Sequence, residues 1–330
     1  MKNKYFLLFD CCKLVKGVSN SIIMDLQRGE YLRIPNILYE ILNQNLKENS
    51  IDNLKKIYNH EFDQGIEKYV DYLVKEEFGF LTDEPNLFPK SNLDFKSPFK
   101  IISSVVCIDK YSNFSVNDIL SQLTKLGCQI IQIRVYNFLN LNILLKNLEK
   151  FGNSIFNLVE LFIPYSNSIN FKVIQDFLTK YPAFKIIVHS INSDNILSKK
   201  KCYENYSLKL TKKIINSETR EIYEKEFFQS NSKFYYEALQ FNIGLNRKVC
   251  VDTDGSVKNY INHTKTYGNI LDTSLKDIIE RDDFQYKWSI SNDKIEKCKE
   301  CQYRYMCLSN SDIIQKDNKF YKKEYCSFEL

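Results

Sequence analysis

The stretch from Lys100 to His189 constrains the fold more than any other part of the chain. Four apolar runs, Ile101–Ile108, Cys128–Val135, Val159–Ile163 and Phe184–His189, alternate with segments whose apolar residues recur at helical spacing. Ser115 is placed to cap one helix carrying Ile119, Leu120 and Leu123 on a single face, and further helices are expected at Leu141–Phe151 and Phe171–Leu178. Strands joined by helical crossovers run parallel, so the class is α/β with a sheet of repeated βα units. Four units are half of an eight-fold barrel, and a partial barrel is the expectation.

The flanking segments read differently. Ser21–Ile34 (SIIMDLQRGEYLRI) holds two apolar runs around the turn signal Gln27-Arg28-Gly29-Glu30, the pattern of a β-hairpin. Pro35 opens a helical pattern through Leu38, Ile41 and Leu42; a second helix fits Ile51–Tyr58 behind a Ser50 cap. A third fits Gln64–Glu77, where Ile66, Tyr69, Val70, Leu73 and Val74 repeat at helical spacing, and Phe78-Gly79-Phe80-Leu81 closes the unit. Pro85, Pro89 and Pro98 then punctuate a polar linker. Beyond about residue 200 the pattern loosens until Lys248–Lys258, a hairpin turning on Asp254-Gly255. The expected division is a unit at 1–82, a linker at 83–98, the βα region at 99–235 and a cysteine-rich unit at 236–330.

Charge excludes some partners. With 46 basic and 41 acidic residues the net charge is +5, too even for a nucleic-acid-binding stripe. Asp10 interrupts the apolar N-terminus, which is too short for a signal peptide, and no run approaches the ~18 apolar residues of a membrane span. A cytoplasmic location without membrane or nucleic-acid partners is expected. Ten cysteines in a reducing compartment are then ligands or core residues rather than disulfides. Cys107 and Cys128 read as core; Cys11, Cys12, Cys202 and Cys250 are scattered.

The remaining four are concentrated. Cys298-x2-Cys301-x5-Cys307, with Cys326 beyond, supplies thiolates that suit one zinc ion or one iron–sulfur cluster equally well. Such a site would also fix a hydrophilic tail in place, because metal binding energy becomes folding energy. Of the histidines His60, His189 and His263, His189 ends a strand near the rim where barrel sites lie, and His263 follows the hairpin, where it could replace a missing ligand. Asp252 and Asp254 read as turn chemistry.

The tail resembles the SPASM domain, the auxiliary iron–sulfur module of many radical-SAM peptide-modifying enzymes. Cys298, Cys301, Cys307 and Cys326 match its pattern, whereas Tyr260 stands where Gly255 would be followed by a cysteine, and Ser311 where another belongs. The resemblance therefore implies one cluster, a [4Fe–4S], rather than two, with zinc as the alternative. Radical-SAM enzymes also carry Cys-x3-Cys-x2-Cys after the first barrel strand; here Cys107 is followed by Tyr111 and Phe114 at the other two positions, so no S-adenosylmethionine is expected. The N-terminal unit resembles the PqqD-like, winged-helix-type domain that recognises leader peptides, which implies β-augmentation on the hairpin by Ile22, Ile23, Met24, Leu26, Tyr31 and Leu32. Together with VDTDGSVKN, YGNI at Tyr267–Ile270 and CKECQYRYMC, the chain resembles the SPASM-domain peptide maturases of grasp-with-spasm systems, whose partners are a ribosomally made precursor peptide and an ATP-grasp ligase. With nine glycines and no phosphate loop, the chain is not itself that ligase. The rival expectations are a redox or radical enzyme using the C-terminal cluster directly and a zinc-stapled interaction protein.

Overall fold

The computed structural model describes residues 4–44, 48–89, 94–137, 140–192, 196, 205, 207–219, 228, 230–324, 326 and 328; Cys202 lies outside them. The N-terminal segment runs β1 (Tyr5–Leu8), β2 (Cys12–Val15), β3 (Ser21–Asp25), β4 (Glu30–Ile34), α1 (Asn36–Leu42), α2 (Ile51–Ile57), α3 (Asp63–Lys75) and β5 (Gly79–Thr82). The expected hairpin is β3–β4. Its turn holds because the Asp25 carboxylate accepts from the Gln27 and Arg28 amides at 2.9 Å each and from Arg28 Nε at 2.6 Å. β2 adds an antiparallel strand beside β3, and β1 pairs with β5. The three helices bury Leu38, Ile41, Leu54, Ile66 and Leu73 against Phe6 and Ile23, forming one apolar core.

The βα region then follows as β6 (Ser103–Ile108), α4 (Val116–Lys125), β7 (Ile130–Val135), α5 (Leu141–Leu148), β8 (Leu158–Pro164), α6 (Phe171–Lys180), β9 (Phe184–His189), β10 (Leu208–Leu210), β11 (Lys248–Val251) and β12 (Val257–Lys258). They form a seven-stranded sheet of order β10-β9-β8-β7-β6-β11-β12, parallel except at β11–β12. The α4–α6 residues Ile119, Leu145 and Ile174 share the main core with Ile131, Leu161 and Ile186 of the strands. The other face carries the alternate residues.

Two elements go beyond the sequence expectations. β11 is more than a hairpin arm, for it also pairs in parallel with β6, Val251 beside Val106. Val249, Cys250 and Val251 are all fully buried, a run with no polar alternation, as suits a strand flanked on both sides. The chain thus progresses outward from β6 to β10 and returns to flank β6, which makes β6/β11 a reversal of strand order, the place where open α/β sheets bind ligands. Between Cys307 and Cys326 lies a second addition, the hairpin β13 (Ile313–Lys316) and β14 (Lys319–Lys322). Asp317 and Asn318 both take positive φ at its turn, as a two-residue hairpin loop demands.

Candidate metal centre

Local backbone geometry gathers the C-terminal cysteines. Lys297 enters at φ 66° and a short 3₁₀ turn over Cys298–Glu300 follows, closed by the Cys301 amide donating to the Cys298 carbonyl at 3.0 Å. The Tyr303 amide donates to Cys301 Sγ at 3.4 Å, the N–H···S contact that stabilises a thiolate. The β13–β14 hairpin carries the chain back: the Glu296 amide donates to the Phe320 carbonyl at 2.8 Å, and Lys297 Nζ reaches the Cys326 carbonyl at 3.2 Å.

All four thiols are half-buried. Burial raises the Cys298 pKa, Cys307 and Cys326 add to the rise, and Lys322 and Lys297 oppose it. Cys301 is pushed up to about 11, again chiefly by burial, with Cys307, Cys298 and Cys326 contributing. The thiols are thus close enough to oppose one another's charge, and a cation is what would hold them ionised together. Among the described residues, the set of three donors lying within 4.8 Å of one another is Cys11, Cys12 and Asp25, not any three of these sulfurs. One zinc with ligand distances near 2.3 Å holds its sulfurs about 3.8 Å apart. A cubane cluster binds each thiolate to a different iron and spreads them further. Four thiols on one short segment are a donor set whose chemistry fits a metal group, zinc or an iron–sulfur cluster.

Tyr260 and Ser311, where the sequence resemblance expects further cysteines, are both buried. Tyr260 belongs to the main core, its ring 6.4 Å from that of His263. His263 Nε2 donates to the Asn310 carbonyl at 3.0 Å, and its Nδ1 lies 3.5 Å from the Asp312 carboxylate, which also takes Lys287. Ser311 bonds the Glu324 carboxylate, and that same carboxylate accepts from the Asp312 amide at 3.0 Å. These side chains form a buried polar network, and His263 belongs to it rather than to the four thiols.

At the end of β6 the Cys107 thiol is fully buried and accepts from the Tyr136 hydroxyl at 3.3 Å, while Tyr111 is exposed and Phe114 half-buried. Cys107 therefore belongs to the sheet rather than to the loop. Nearby, Ile108, Asp109, Ser112 and Phe114 line a cavity of about 220 Å³. The Ser112 hydroxyl ties this loop to the one after β11 through the Thr253 carbonyl at 2.8 Å.

The sheet face opposite the helices holds residues that sequence reasoning passed over. Gln132 stands between Val105 and Glu160 in register, and Arg134 between Cys107 and Phe162. Gln132 Nε2 donates to Glu160 at 3.2 Å, and Arg134 Nε to Gln132 Oε1 at 2.7 Å. Arg134, 3% exposed, also reaches the Thr219 carbonyl at 3.4 Å. The signal was present in IIQIRV and LVELFI: Gln132 and Arg134 at alternate places, and Glu160 alone, in strands otherwise fit for complete burial.

The six hairpin residues expected to meet a peptide lie mostly inside. Ile22, Ile23 and Met24 are at most 1% exposed and Leu26 is 6% exposed, while Tyr31 and Leu32 are half-buried. Ile23 faces the helices; Ile22, Met24 and Leu26 face the opposite way, into a cluster shared with the C-terminal segment.

No family model matches the chain, and no curated protein does. Among solved structures, BtrN in an open conformation is 14% identical with a TM-score of 0.35, over 63% of this chain and 94% of that one. Streptococcus suis SuiB bound to S-adenosylmethionine is 12% identical with a TM-score of 0.31, over 93% of this chain and 94% of that one. Likeness at this level assigns neither activity nor cofactor, and it lends no support to the expectation that S-adenosylmethionine is absent. No helix among the described residues is long and apolar enough to cross a membrane.

Proposed function

We propose that this chain handles a ribosomally made precursor peptide during its maturation, in concert with an ATP-grasp ligase. One iron–sulfur cluster, a [4Fe–4S], would sit on Cys298, Cys301, Cys307 and Cys326, with zinc as the alternative. The observation that carries this reading is the outer edge of β4. Among the described residues β3 is the one strand that pairs with β4, whose outer edge carries no second strand. Because the hairpin's apolar side chains are already buried, recognition falls to that backbone, flanked by Tyr31 and Leu32. An extended peptide added there gains about 1 kcal/mol net per backbone hydrogen bond. The division at 83–98 belongs to the same proposal: a leader-recognising unit, a βα body and a metal-binding tail.

Proline at neighbouring positions tests it. Of Leu32→Pro and Arg33→Pro, one strikes the ladder with β3 and lowers stability, and the other strikes the edge facing away from β3. The folded, edge-directed variant is expected to bind the precursor about tenfold more weakly, the equivalent of about 1.4 kcal/mol. Unchanged affinity by fluorescence anisotropy would count against β-augmentation.

The Gln132–Glu160–Arg134 ladder and the cavity beyond β6 favour a second reading, a redox or radical enzyme. Deoxyadenosine formed from S-adenosylmethionine under anaerobic conditions would select it. Stoichiometric zinc without iron or sulfide would instead leave a zinc-stapled interaction protein.

A further inference from the structure

The loop between Cys301 and Cys307 packs against the other end of the chain. In Cys301-Gln302-Tyr303-Arg304-Tyr305-Met306-Cys307, Gln302 is 4% exposed, Tyr303 2% and Met306 1%. Tyr303 and Met306 share an apolar cluster with Val15, Ile22, Met24 and Leu26 from the other end of the chain, together with Phe228 and Tyr235. The Tyr303 ring meets Tyr31 of β4 edge-on at 5.5 Å and Phe228 at 5.3 Å. Arg304 Nη1 donates to the Lys16 carbonyl, just past β2, at 2.7 Å. Gln302 lies so near Gly17 that a Cβ there would meet its Oε1 at 2.6 Å.

The thiols border the same contact. Cys301 and Cys307 pack against this cluster, whereas Cys298 packs against the main core. Phe328, two residues beyond Cys326, meets Phe228 at a tilt, their rings 5.1 Å apart. The four ligands therefore straddle the joint between the β2–β3–β4 sheet and the βα body.

We propose that the metal group is a clasp for this joint. Loading the four thiolates fixes the Cys301–Cys307 loop in the shape that receives the N-terminal sheet; unloading it releases the sheet. A loop bound at both ends to one metal group has few conformations to lose on docking, and a loop with free, protonated thiols has many. Coupling is reciprocal, so a docked sheet raises metal affinity. The clasp acts on peptide handling through Tyr31 and the β4 edge, and in that respect it rests on the function proposed above; the docking itself does not.

Hydrogen exchange on the full-length protein tests it anaerobically, with the metal that elemental analysis identifies either saturating or removed by chelation. Removal is expected to lower amide protection in β2, β3 and β4 by at least about tenfold, while β6 and β7 of the βα body keep theirs, as a sub-global opening requires. Tyr303→Leu and Arg304→Ala, at saturating metal, are expected to retain full metal stoichiometry yet lose protection in those same three strands. Unchanged protection of β2–β4 after removal, or in both variants, overturns the clasp. Uniform loss that includes β6 and β7 overturns it as well, since the metal would then be a staple for the whole fold. Precursor binding to the loaded wild-type protein is scored separately: its absence removes the reading of the β4 edge and leaves the exchange result standing.

Discussion

His189 and His263 give the molecule a pH signature written in single residues. They are 1% and 2% exposed. His189 Nε2 lies 3.3 Å from the Val135 carbonyl, and its Nδ1 lies 2.9 Å from Ser190 Oγ. Burial holds both imidazoles below the ordinary 6.5; around His263, Asp312, the Asn310 carbonyl and Glu324 oppose that shift and Lys287 reinforces it. In the window below 6.5 the unfolded chain therefore binds more protons than the folded one, so stability drops as pH falls through it. Above 6.5 neither group contributes. Thermal melts should be level near about pH 7.5 and decline toward about pH 5, with the decline shallower in His263→Gln. A Tm that rises on acidification would show that burial does not govern these two rings. Asp25 makes a second residue-level case: it accepts from two backbone amides and Arg28 at the hairpin turn. Asp25→Ala is expected to cost about 2–3 kcal/mol in urea melts, because those donors stay where they are without an acceptor.

Elements were legible where their cause is local. Ser50 and Ser115 were expected as helix caps, and their hydroxyls do accept from the Asn53 amide at 3.3 Å and the Asp118 amide at 3.2 Å. Ser115→Ala is accordingly expected to cost about 1 kcal/mol, read as a lowered urea midpoint at constant slope. The strands β6 to β9 were legible from apolar runs, and the turn at Gly255 from its Asp-Gly pair; Gly255 sits at φ +81°, where a Cβ would meet Asn269 Oδ1 at 2.7 Å. What escaped was set by distant partners. Nothing within Lys248–Val251 says that its second neighbour is Ser103–Val106, and nothing within Cys12–Val15 says that it lies beside β3. At the candidate site the same division holds. The spacing of Cys298, Cys301 and Cys307 is local and was read directly, but the burial of Tyr303 and Met306 against Ile22 and Met24 joins the two ends of the chain.

That shared cluster decides how the molecule behaves when divided. A fragment of residues 1–89 retains the helix-side core around Ile23, Leu54 and Leu73, but it loses Tyr303, Met306 and Phe228 from the opposite face of the hairpin sheet. Val15 and Ile22 are 0% exposed in the whole chain and Met24 is 1% exposed. Burying each is worth about 2 kcal/mol, so their exposure forfeits about 6 kcal/mol of hydrophobic stabilisation. A small domain commands about 5–15 kcal/mol in total, so a loss of that size takes much of the stability or all of it. The exposed stripe is also contiguous, since Ile22 and Met24 alternate along β3 and Val15 pairs with Ile22 on the neighbouring strand. A contiguous apolar stripe on a three-stranded sheet promotes self-association, whereas in the whole chain the Cys301–Cys307 loop covers it. The fragment is therefore expected to elute above its monomer size and to bind a hydrophobic dye, and Ile22→Thr with Met24→Thr should return it toward monomer. A monomeric, dye-negative wild-type fragment with an intact cooperative melt would mean that the hairpin sheet does not need its C-terminal cover. The burial of Tyr303 would then stabilise the tail alone.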